Sequence, residues 1–220
     1  MNKERRYLEF EIRAEQTEEK GSVITGQPIV FNQETDLGLC RETIDAGALD
    51  ATDLRDVRFL VGHDFSMVPL ARSRNNNENS TMQLMVNEAG MSIRVNLDTE
   101  NNPRAAELYS AIRRGDISGM SFAFTMDKDS WEGLDTDSPL RHIRSINRVF
   151  EVSAVALPAY EGTSIQAASE GDALESVKAS LESAKEQLEQ ERAAQAEAER
   201  RTAVLERLKK LTEEVKPNEV

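Results

Sequence analysis

The sequence predicts an α+β protein, in which a part built mainly of β-strands, with helices, is followed by a long C-terminal helix. Three observations predict this architecture. Large apolar residues alternate with polar ones in several short segments before residue 157, as they do in half-buried strands. Apolar residues follow helical spacing between residues 102 and 115. After residue 172 they recur every three or four positions in a sequence rich in Glu and Ala, which is typical of a coiled-coil helix.

Composition excludes several classes of function. The chain has 220 residues and a net charge of −13, without a run of Lys or Arg interleaved with aromatic residues, so we expect no nucleic-acid partner. No segment approaches the ~18 consecutive apolar residues that a membrane span needs, so we expect no membrane partner. The single cysteine, Cys40, cannot support a disulfide framework and indicates a reducing compartment.

The first part of the chain predicts three strands. Alternation over residues 8–12 predicts the first, and a second runs from about residue 22 to residue 31, where Pro28 marks an edge or a bulge. Residues 32–53 have few periodic apolar positions and predict a loop with a short helical turn. Residues 57–61 form a compact apolar strand that ends shortly before His63.

The middle of the chain predicts a hairpin and a helix. Alternating residues before and after a turn at Gly90 predict an antiparallel hairpin over residues 82–97. A helix follows, with Asn102 as its N-cap, Pro103 at its first position and Gly115 at its end. This helix leads directly into an alternating strand at residues 120–124.

The last strands precede a change in composition. Residues 127–139 are polar, contain the only tryptophan, and predict a loop or a mobile flap. A strand region around residues 143–146 and an apolar run at residues 150–157 come next. We therefore predict a domain of residues 1–165, followed by a linker at residues 166–172.

Residues 173–216 predict an acidic helical tail. Its first apolar stripe consists of Leu174, Val177, Leu181, Ala184 and Leu188, and a stripe in a shifted phase consists of Val204, Leu208, Leu211 and Val215. The positions between the two stripes include Glu191 and Gln195, which pack poorly in a coiled coil. We expect a good helix whose pairing is weak or conditional, and which offers a route to a homo-oligomer.

Ser121 is the candidate nucleophile. It lies in the strand of residues 120–124, where Ser121, Ala123 and Thr125 would share one face opposite the large apolar side chains. A nucleophilic hydroxyl needs a rigid element and small neighbours that admit a base and a substrate carbonyl. The alternative is an ordinary serine on the solvated face of a strand. Ser118, in the preceding turn, is a rival nucleophile.

His63 and Glu151 are candidate partners of that serine. His63 follows a strand end and Gly62, so its side chain can project into a cleft, although a structural histidine is the alternative. Glu151 enters an apolar run, where a carboxylate is costly unless it is paired, and His63 is a suitable partner. Glu151 at an exposed strand end is the alternative. Two histidines and one cysteine are too few for a zinc or dinuclear cluster, so we expect no metal and no cofactor.

Several segments in co-linear order resemble the prohead (capsid maturation) protease family of tailed phages. The resemblance covers roughly residues 8–165 and is carried by residues 24–32, 42–49, 57–64, 69–73, 114–124 and 151–160. Two motifs depart from the family pattern. Gly62 stands where the family has Asn before His63, and Ala123 stands where it has Gly in the motif around Ser121.

The resemblance implies a fold and a catalytic mechanism. This family looks related to the herpesvirus assemblins, which implies a mainly antiparallel β-barrel with surrounding helices and a serine endopeptidase. By resemblance, Ser121 is the nucleophile, His63 the general base and Glu151 the third member. His142 is an alternative third member, since assemblins resemble Ser-His-His enzymes. A backbone amide near Ser121 would stabilise the oxyanion, with Arg141 or Arg144 as a possible second donor.

The resemblance also implies a partner and a location. The expected substrate is the phage major capsid protein precursor or its scaffolding segment, and the enzyme would also cleave itself. It would act in the host cytoplasm, inside the assembling prohead. A catalytically inactive scaffolding protein that keeps the protease fold is the main alternative. A metal hydrolase that uses His63 and Asp64 is a third hypothesis.

Overall fold

The computed structural model describes residues 3–8, 12–17, 21–156 and 171–214. The chain divides into two compact units, Met1–Val177 and Lys178–Val220. The first unit contains two β-sheets and a helix. Apolar side chains from both sheets and from that helix form one hydrophobic core.

The larger sheet has seven strands and a branch. Its strands are β1 Lys3–Leu8, β4 Thr35–Asp36, β5 Arg41–Ile44, β6 Asp56–Val61, β7 Ala71–Arg74, β10 Gly119–Glu132 and β11 Leu140–Val155. On one side of β11 lies β10, which in turn pairs with β1, and both ladders are antiparallel. On the other side, β11 pairs in parallel first with β5 and then with β6. Strands β4 and β7 complete the two branches.

The smaller sheet has four antiparallel strands. Its strands are β2 Ile12–Thr17, β3 Gly21–Val30, β8 Met82–Asn87 and β9 Gly90–Leu97, in the order β2-β3-β9-β8. The predicted hairpin is therefore present as β8 and β9. The register of β3 against β9 shifts between Gly26 and Ile29. Pro28 has no backbone N–H to donate, and it lies in this irregularity of the ladder.

The predicted closed barrel is wrong, because the two sheets are separate. Among the described strands, no hydrogen-bonded ladder joins the larger sheet to the smaller one. A barrel closes only when edge strands pair with each other. The two branches beyond β11 end in strands of two and four residues, β4 and β7, which are too short to continue a ladder into another sheet. The branching itself follows from the 16-residue length of β11, which serves two partners in succession.

Four sequence predictions of loops and strands also need correction. The segment 32–53 contains β4 and β5, and β10 extends through Glu132 into the predicted flap. The two strands predicted between residues 143 and 157 are one strand, β11. The first predicted strand, over residues 8–12, spans the end of β1 and the start of β2, and residues 9–11 lie outside the described part of the chain. β5 escaped prediction because its buried residues include Glu42, which is held by charged partners rather than by apolar contacts.

Helix α1 spans Pro103–Arg114 and has the predicted ends. The Asn102 side chain accepts a hydrogen bond from the backbone N–H of Arg104, at 3.1 Å. Gly115 ends the helix at φ +80°, a left-handed conformation that glycine adopts readily. The buried face of the helix consists of Ala105, Leu108, Tyr109 and Ile112.

The predicted long C-terminal helix is confirmed as α2, Gly171–Glu214. Most of the predicted linker lies outside the described residues. The start of α2 belongs to the first unit, where the buried Val177 packs with Leu37 and Cys40. Farther along, Val204, Leu205 and Leu208 are exposed. Among the described helices, none is long and apolar enough to cross a membrane.

Candidate active site

The candidate residues share one face of the larger sheet. In the ladder between β10 and β11, Ser121 lies opposite Ser153 and Ala123 lies opposite Glu151. Directly opposed residues of an antiparallel pair have their Cα atoms about 4.5–5.5 Å apart and point to the same side. Ser121, Glu151 and Ser153 are each 0% exposed. The face is therefore a buried polar strip in the middle of the sheet.

A sharp turn after β6 brings His63 to this strip. Strand β6 runs beside β11, with Val61 opposite Ala154. Gly62 and His63 then both adopt left-handed conformations, at φ +59° and +61°, and the N–H of Gly62 donates to the carbonyl of Ala154 at 3.0 Å. Left-handed backbone is uncommon for a residue with a side chain. The turn reverses the chain at the end of the strand, and the imidazole meets the side chain of Glu151.

His63 and Glu151 form a buried pair. The Nδ1 atom of His63 lies 2.5 Å from Oε1 of Glu151, and the side chains are 2% and 0% exposed. Glu151, which lies in an apolar part of the strand, therefore has His63 as a polar partner.

Ser153 completes the environment of Glu151, and sequence reasoning missed it. Its hydroxyl donates to Oε2 of Glu151 at 2.5 Å, and its Oγ accepts from the backbone N–H of His63 at 3.2 Å. The spacing of two residues between Glu151 and Ser153 is the pattern that could have revealed it, because residues i and i+2 of a strand share a face.

The hydroxyl of Ser121 forms a hydrogen bond with the backbone of β1. Its Oγ donates to the backbone carbonyl of Arg6 at 2.5 Å. The rival nucleophile Ser118 is exposed and lies between α1 and β10, outside the strand. Only Ser121 of these two is on the strand face that carries Glu151 and Ser153.

His142 lies far from the pair. It belongs to the first half of β11, nine positions before Glu151, which corresponds to about 30 Å along a strand. Its Nδ1 atom is 2.9 Å from Oδ1 of Asp45. The guanidinium of Arg144 also pairs with Asp45.

Arg141 belongs to a buried cluster of ionised side chains. It lies 3.1 Å from both Glu4 and Glu42 and 2.7 Å from Asp129, and Arg6 pairs with Glu4 and Glu42. Burial alone would raise the pKa of Glu4, but the charges and hydrogen bonds of Arg6 and Arg141 hold that pKa below its usual value. The cluster ties β1 to β5 and β11, and so fixes the Arg6 carbonyl beside Ser121.

A comparison with protein families identifies the chain. Residues 8–178 match the family model of the caudovirus prohead serine protease. The chain belongs to this family. Ser121, His63 and Glu151 all fall within the matched residues, as does Ser153, so the buried strip lies inside the part shared with this serine protease family.

Other comparisons add little to the family assignment. A solved structure titled as the bacteriophage T4 capsid assembly protease, gp21, is similar over 70% of this chain and 99% of that chain, at 13% sequence identity and a TM-score of 0.37. A comparison with curated proteins found no match.

The described residues also bear on metal chemistry. In the parts of the chain that the structure describes, no group of three or more His, Cys, Asp or Glu side chains is placed to hold a metal ion. The side chain next to His63 in sequence, Asp64, accepts hydrogen bonds from the N–H and the hydroxyl of Ser66, at 2.9 and 2.5 Å.

Proposed function

We propose that this chain is a prohead maturation serine endopeptidase that cleaves the capsid precursor or its scaffolding segment, and also itself. The observation that carries the proposal is the buried His63–Glu151 pair on the strand face of Ser121. Membership of a prohead serine protease family supplies the reaction class.

In this proposal His63 is the general base. If Nδ1 carries a proton and donates it to Glu151, then Nε2 of the neutral ring is an acceptor. Nε2 takes the proton of the Ser121 hydroxyl as Oγ attacks the peptide carbonyl, and later gives it to the leaving amine. Glu151 holds the tautomer and stabilises the imidazolium. Ser121 must first release the Arg6 carbonyl, which a rotation about one side-chain bond accomplishes.

Glu151 is a better third member than His142. Glu151 contacts the imidazole of His63 directly, whereas His142 contacts Asp45 about 30 Å away along the strand. The oxyanion donors are best sought among backbone amides near Ser121. Arg141 and Arg144, the side-chain candidates, are already paired with carboxylates.

The proposed substrate and location follow from the family. We assign the protease to the interior of the assembling prohead in the host cytoplasm, where the capsid precursor surrounds it. The tail recruits it there by helix pairing, either with a helical segment of that precursor or with a second copy. The exposed Val204, Leu205 and Leu208 of α2 supply an apolar surface for that pairing.

Incubation of the chain with the capsid precursor of its own genome tests the proposal. The wild-type protein should cleave it, Ser121→Ala should reduce the rate by about 10⁶-fold while the fold is retained, and Ser118→Ala should be far milder. Cleavage products are measured by mass spectrometry and folding by circular dichroism. An inactive Ser118→Ala variant beside an active Ser121→Ala variant would overturn the assignment of the nucleophile.

One observation favours a second function, that of an inactive scaffolding protein. Ser121 is 0% exposed and its hydroxyl is bound to the Arg6 carbonyl, so the serine is closed to substrate in this conformation. A fluorophosphonate, which labels activated serines, separates the two functions. Labelling that disappears in Ser121→Ala supports the enzyme. No labelling of the folded protein, with no cleavage of the precursor, supports the scaffold. Loss of activity in a chelator would instead support a metal hydrolase.

A further inference from the structure

A pocket of about 350 Å³ lies between helix α1 and the segment that follows β6. Most of its wall is apolar, formed by Val61, Met67, Leu70, Leu108, Ala111 and Ile117. Its volume falls at the lower end of the range of ligand pockets, and is large enough for a bulky side chain.

The walls of this pocket come from the two segments that deliver the candidate catalytic residues. The segment 61–70 carries His63 near its start, and α1 leads through Ile117 to Ser121 four residues later. Four residues of extended chain span about 13 Å. A polypeptide whose carbonyl lies at Ser121 therefore passes within a few residues of the pocket. Phe65 and Val68, 41% and 82% exposed, add apolar surface on the same segment.

The charges in the pocket disfavour an acidic ligand. Its polar lining consists of Asp64, Arg104 and Glu107, with one cation and two carboxylates. Hydrogen bonds from Ser66, and the charge of Arg104, lower the pKa of Asp64, so this carboxyl is ionised near neutral pH. The single guanidinium is balanced by its neighbours, and the remaining wall offers contacts to methyl and methylene groups.

We propose that this pocket is a specificity pocket, which binds one large apolar side chain of the polypeptide substrate close to the scissile bond. The proposal rests on the proposed protease function. Burial of a leucine-sized side chain would give a preference over alanine of about 10- to 200-fold in kcat/KM.

A variant that fills the pocket tests this proposal. Ala111→Phe places a ring in the pocket, and Ser110→Phe places the same ring on the exposed face of the same helix as a control. The substrates are peptides that span a cleavage site found in the precursor digest, with each apolar residue replaced by alanine in turn. The wild type and Ser110→Phe should lose at least tenfold in kcat/KM for one replacement. Ala111→Phe should cleave the parent peptide as slowly as the wild type cleaves the peptide with that replacement.

Serine labelling separates a failure of the specificity-pocket proposal from a failure of the proposed protease function. Fluorophosphonate labelling of Ser121 should be unchanged in Ala111→Phe, because the pocket does not activate the serine. Met67→Ala, which enlarges the pocket, should shift the preference toward a larger side chain and provides a second variant if Ala111→Phe does not fold. Intact labelling with an unchanged preference in the variants would overturn the pocket alone. Absence of labelling and cleavage in the wild type would overturn the protease function and the pocket with it.

A separate observation concerns Ser153, whose hydroxyl contacts both members of the His63–Glu151 pair. The left-handed conformation of His63 is unfavourable for a residue with a side chain. The hydrogen bond from its N–H to Ser153 holds this conformation, and the hydrogen bond from Ser153 to Oε2 fixes the rotation of the Glu151 carboxylate. We infer that Ser153 is a positioning residue for the pair, an inference that also rests on the proposed function.

Ser153→Ala tests the inference against a matched control. The control is Ser73→Ala, since Ser73 is also 0% exposed and its Oγ has no hydrogen-bond partner within the described structure. Ser153→Ala should lower kcat per labelled serine by about 10- to 100-fold with little change in KM, because the imidazole is displaced. Ser73→Ala should leave kcat unchanged, and Ser153→Thr, which keeps the hydroxyl, should recover part of the rate.

Normalisation to the labelled serine separates positioning from stability. A role in stability alone would reduce the number of labelled sites and leave kcat per site at the wild-type value, and that result would overturn the inference. Mass spectrometry of the labelled peptide adds a second criterion. A label on Ser153 instead of Ser121 would make Ser153 the nucleophile, and would overturn both its positioning role and the proposed role of Ser121.

Discussion

The side chain of Glu151 is buried in an apolar strand, where Oε1 lies 2.5 Å from Nδ1 of His63 and Oε2 accepts a hydrogen bond from Ser153. Burial of an unpaired charge costs several kcal/mol, so the partners are needed for folding as well as for any chemistry. His63 supplies one partner and Ser153 the other. The three residues form a closed network, in which the imidazole of His63 contacts Glu151 and the backbone N–H of His63 donates to the hydroxyl of Ser153.

Glu151→Gln tests the importance of this network at the scale of one residue. The amide keeps the size of the side chain, but its NH₂ group can face Nδ1 and stabilise the wrong tautomer of His63. We expect the fold to persist and kcat to fall by about 10³- to 10⁴-fold, as in other triads that lose the acid. Rates and circular dichroism measure the two effects. Wild-type activity in Glu151→Gln would show that the acid lies elsewhere.

At the scale of the element, the close contact between β9 and β3 depends on one glycine. Gly90 begins β9 at φ +138° and lies opposite Val30 in the ladder. A Cβ atom at this position would lie 2.0 Å from the backbone carbonyl oxygen of Ile29. The obstacle is backbone of the neighbouring strand, so no side-chain rotation can relieve it. The hairpin and β3 therefore pack in this register only with glycine at position 90.

Gly90→Ala should destabilise the first unit strongly. We expect a loss of more than about 3 kcal/mol in the free energy of unfolding, measured by urea denaturation, since the clash adds to the strain at positive φ. Gly115→Ala is the control, because Gly115 also has positive φ but a Cβ there would meet nothing within 4 Å. Its cost should be about 1 kcal/mol. Equal losses in the two variants would show that strain, and not the contact with Ile29, governs position 90.

At the scale of the whole molecule, the buried ionic cluster joins distant parts of the chain. Arg6 of β1 and Arg141 of β11 share the carboxylates of Glu4 and Glu42. Ser176 of α2 also donates to Glu4 at 3.1 Å. The cluster therefore holds together the N-terminal strand, the centre of the larger sheet and the start of the C-terminal helix.

Acid should weaken the fold through Glu4. Because the pKa of Glu4 in the folded state is below its ordinary value of 4.5, the carboxylate stabilises the fold above about pH 4.5. This contribution is lost as the pH falls below that value. Urea denaturation at several pH values should show the decline. Glu4→Gln should be less stable at pH 7 and less sensitive to acid, whereas Glu78→Gln, at an exposed position, should retain the wild-type slope. An unchanged slope in Glu4→Gln would contradict the role of the cluster.

The role of the C-terminal tail is tested by truncation, and the choice of the cut depends on where the first unit ends. A cut at about residue 170 would remove Ser176 and Val177, which belong to the first unit. A chain that ends at residue 177 keeps both. We expect this chain to cleave peptides at nearly the wild-type rate and to be packaged in proheads in smaller amounts, measured by quantitative immunoblotting. Normal packaging would show that residues 1–177 carry the docking surface.

The elements that depend on local interactions could be predicted from the sequence alone. Helix α1 begins and ends where Asn102, Pro103 and Gly115 predict, because a cap is satisfied by residues a few positions away. The β8–β9 hairpin and α2 follow from periodicity in the same way. The order of the motifs along the chain was sufficient to recognise the family, and the matched range of residues 8–178 contains all of these motifs.

The contacts between residues far apart in the chain could not be predicted from the sequence and appear only in the folded structure. His63 and Glu151 are 88 positions apart, and Arg6 and Glu42 are 36 apart. Strand β5 was missed because its buried Glu42 finds its charge partners on other strands, so its local pattern is polar. The family resemblance implied a barrel, whereas the structure has two separate sheets, and closure depends on which strand edges meet. Periodicity reports which face of a strand is buried, and it contains no information on which strand lies next to it.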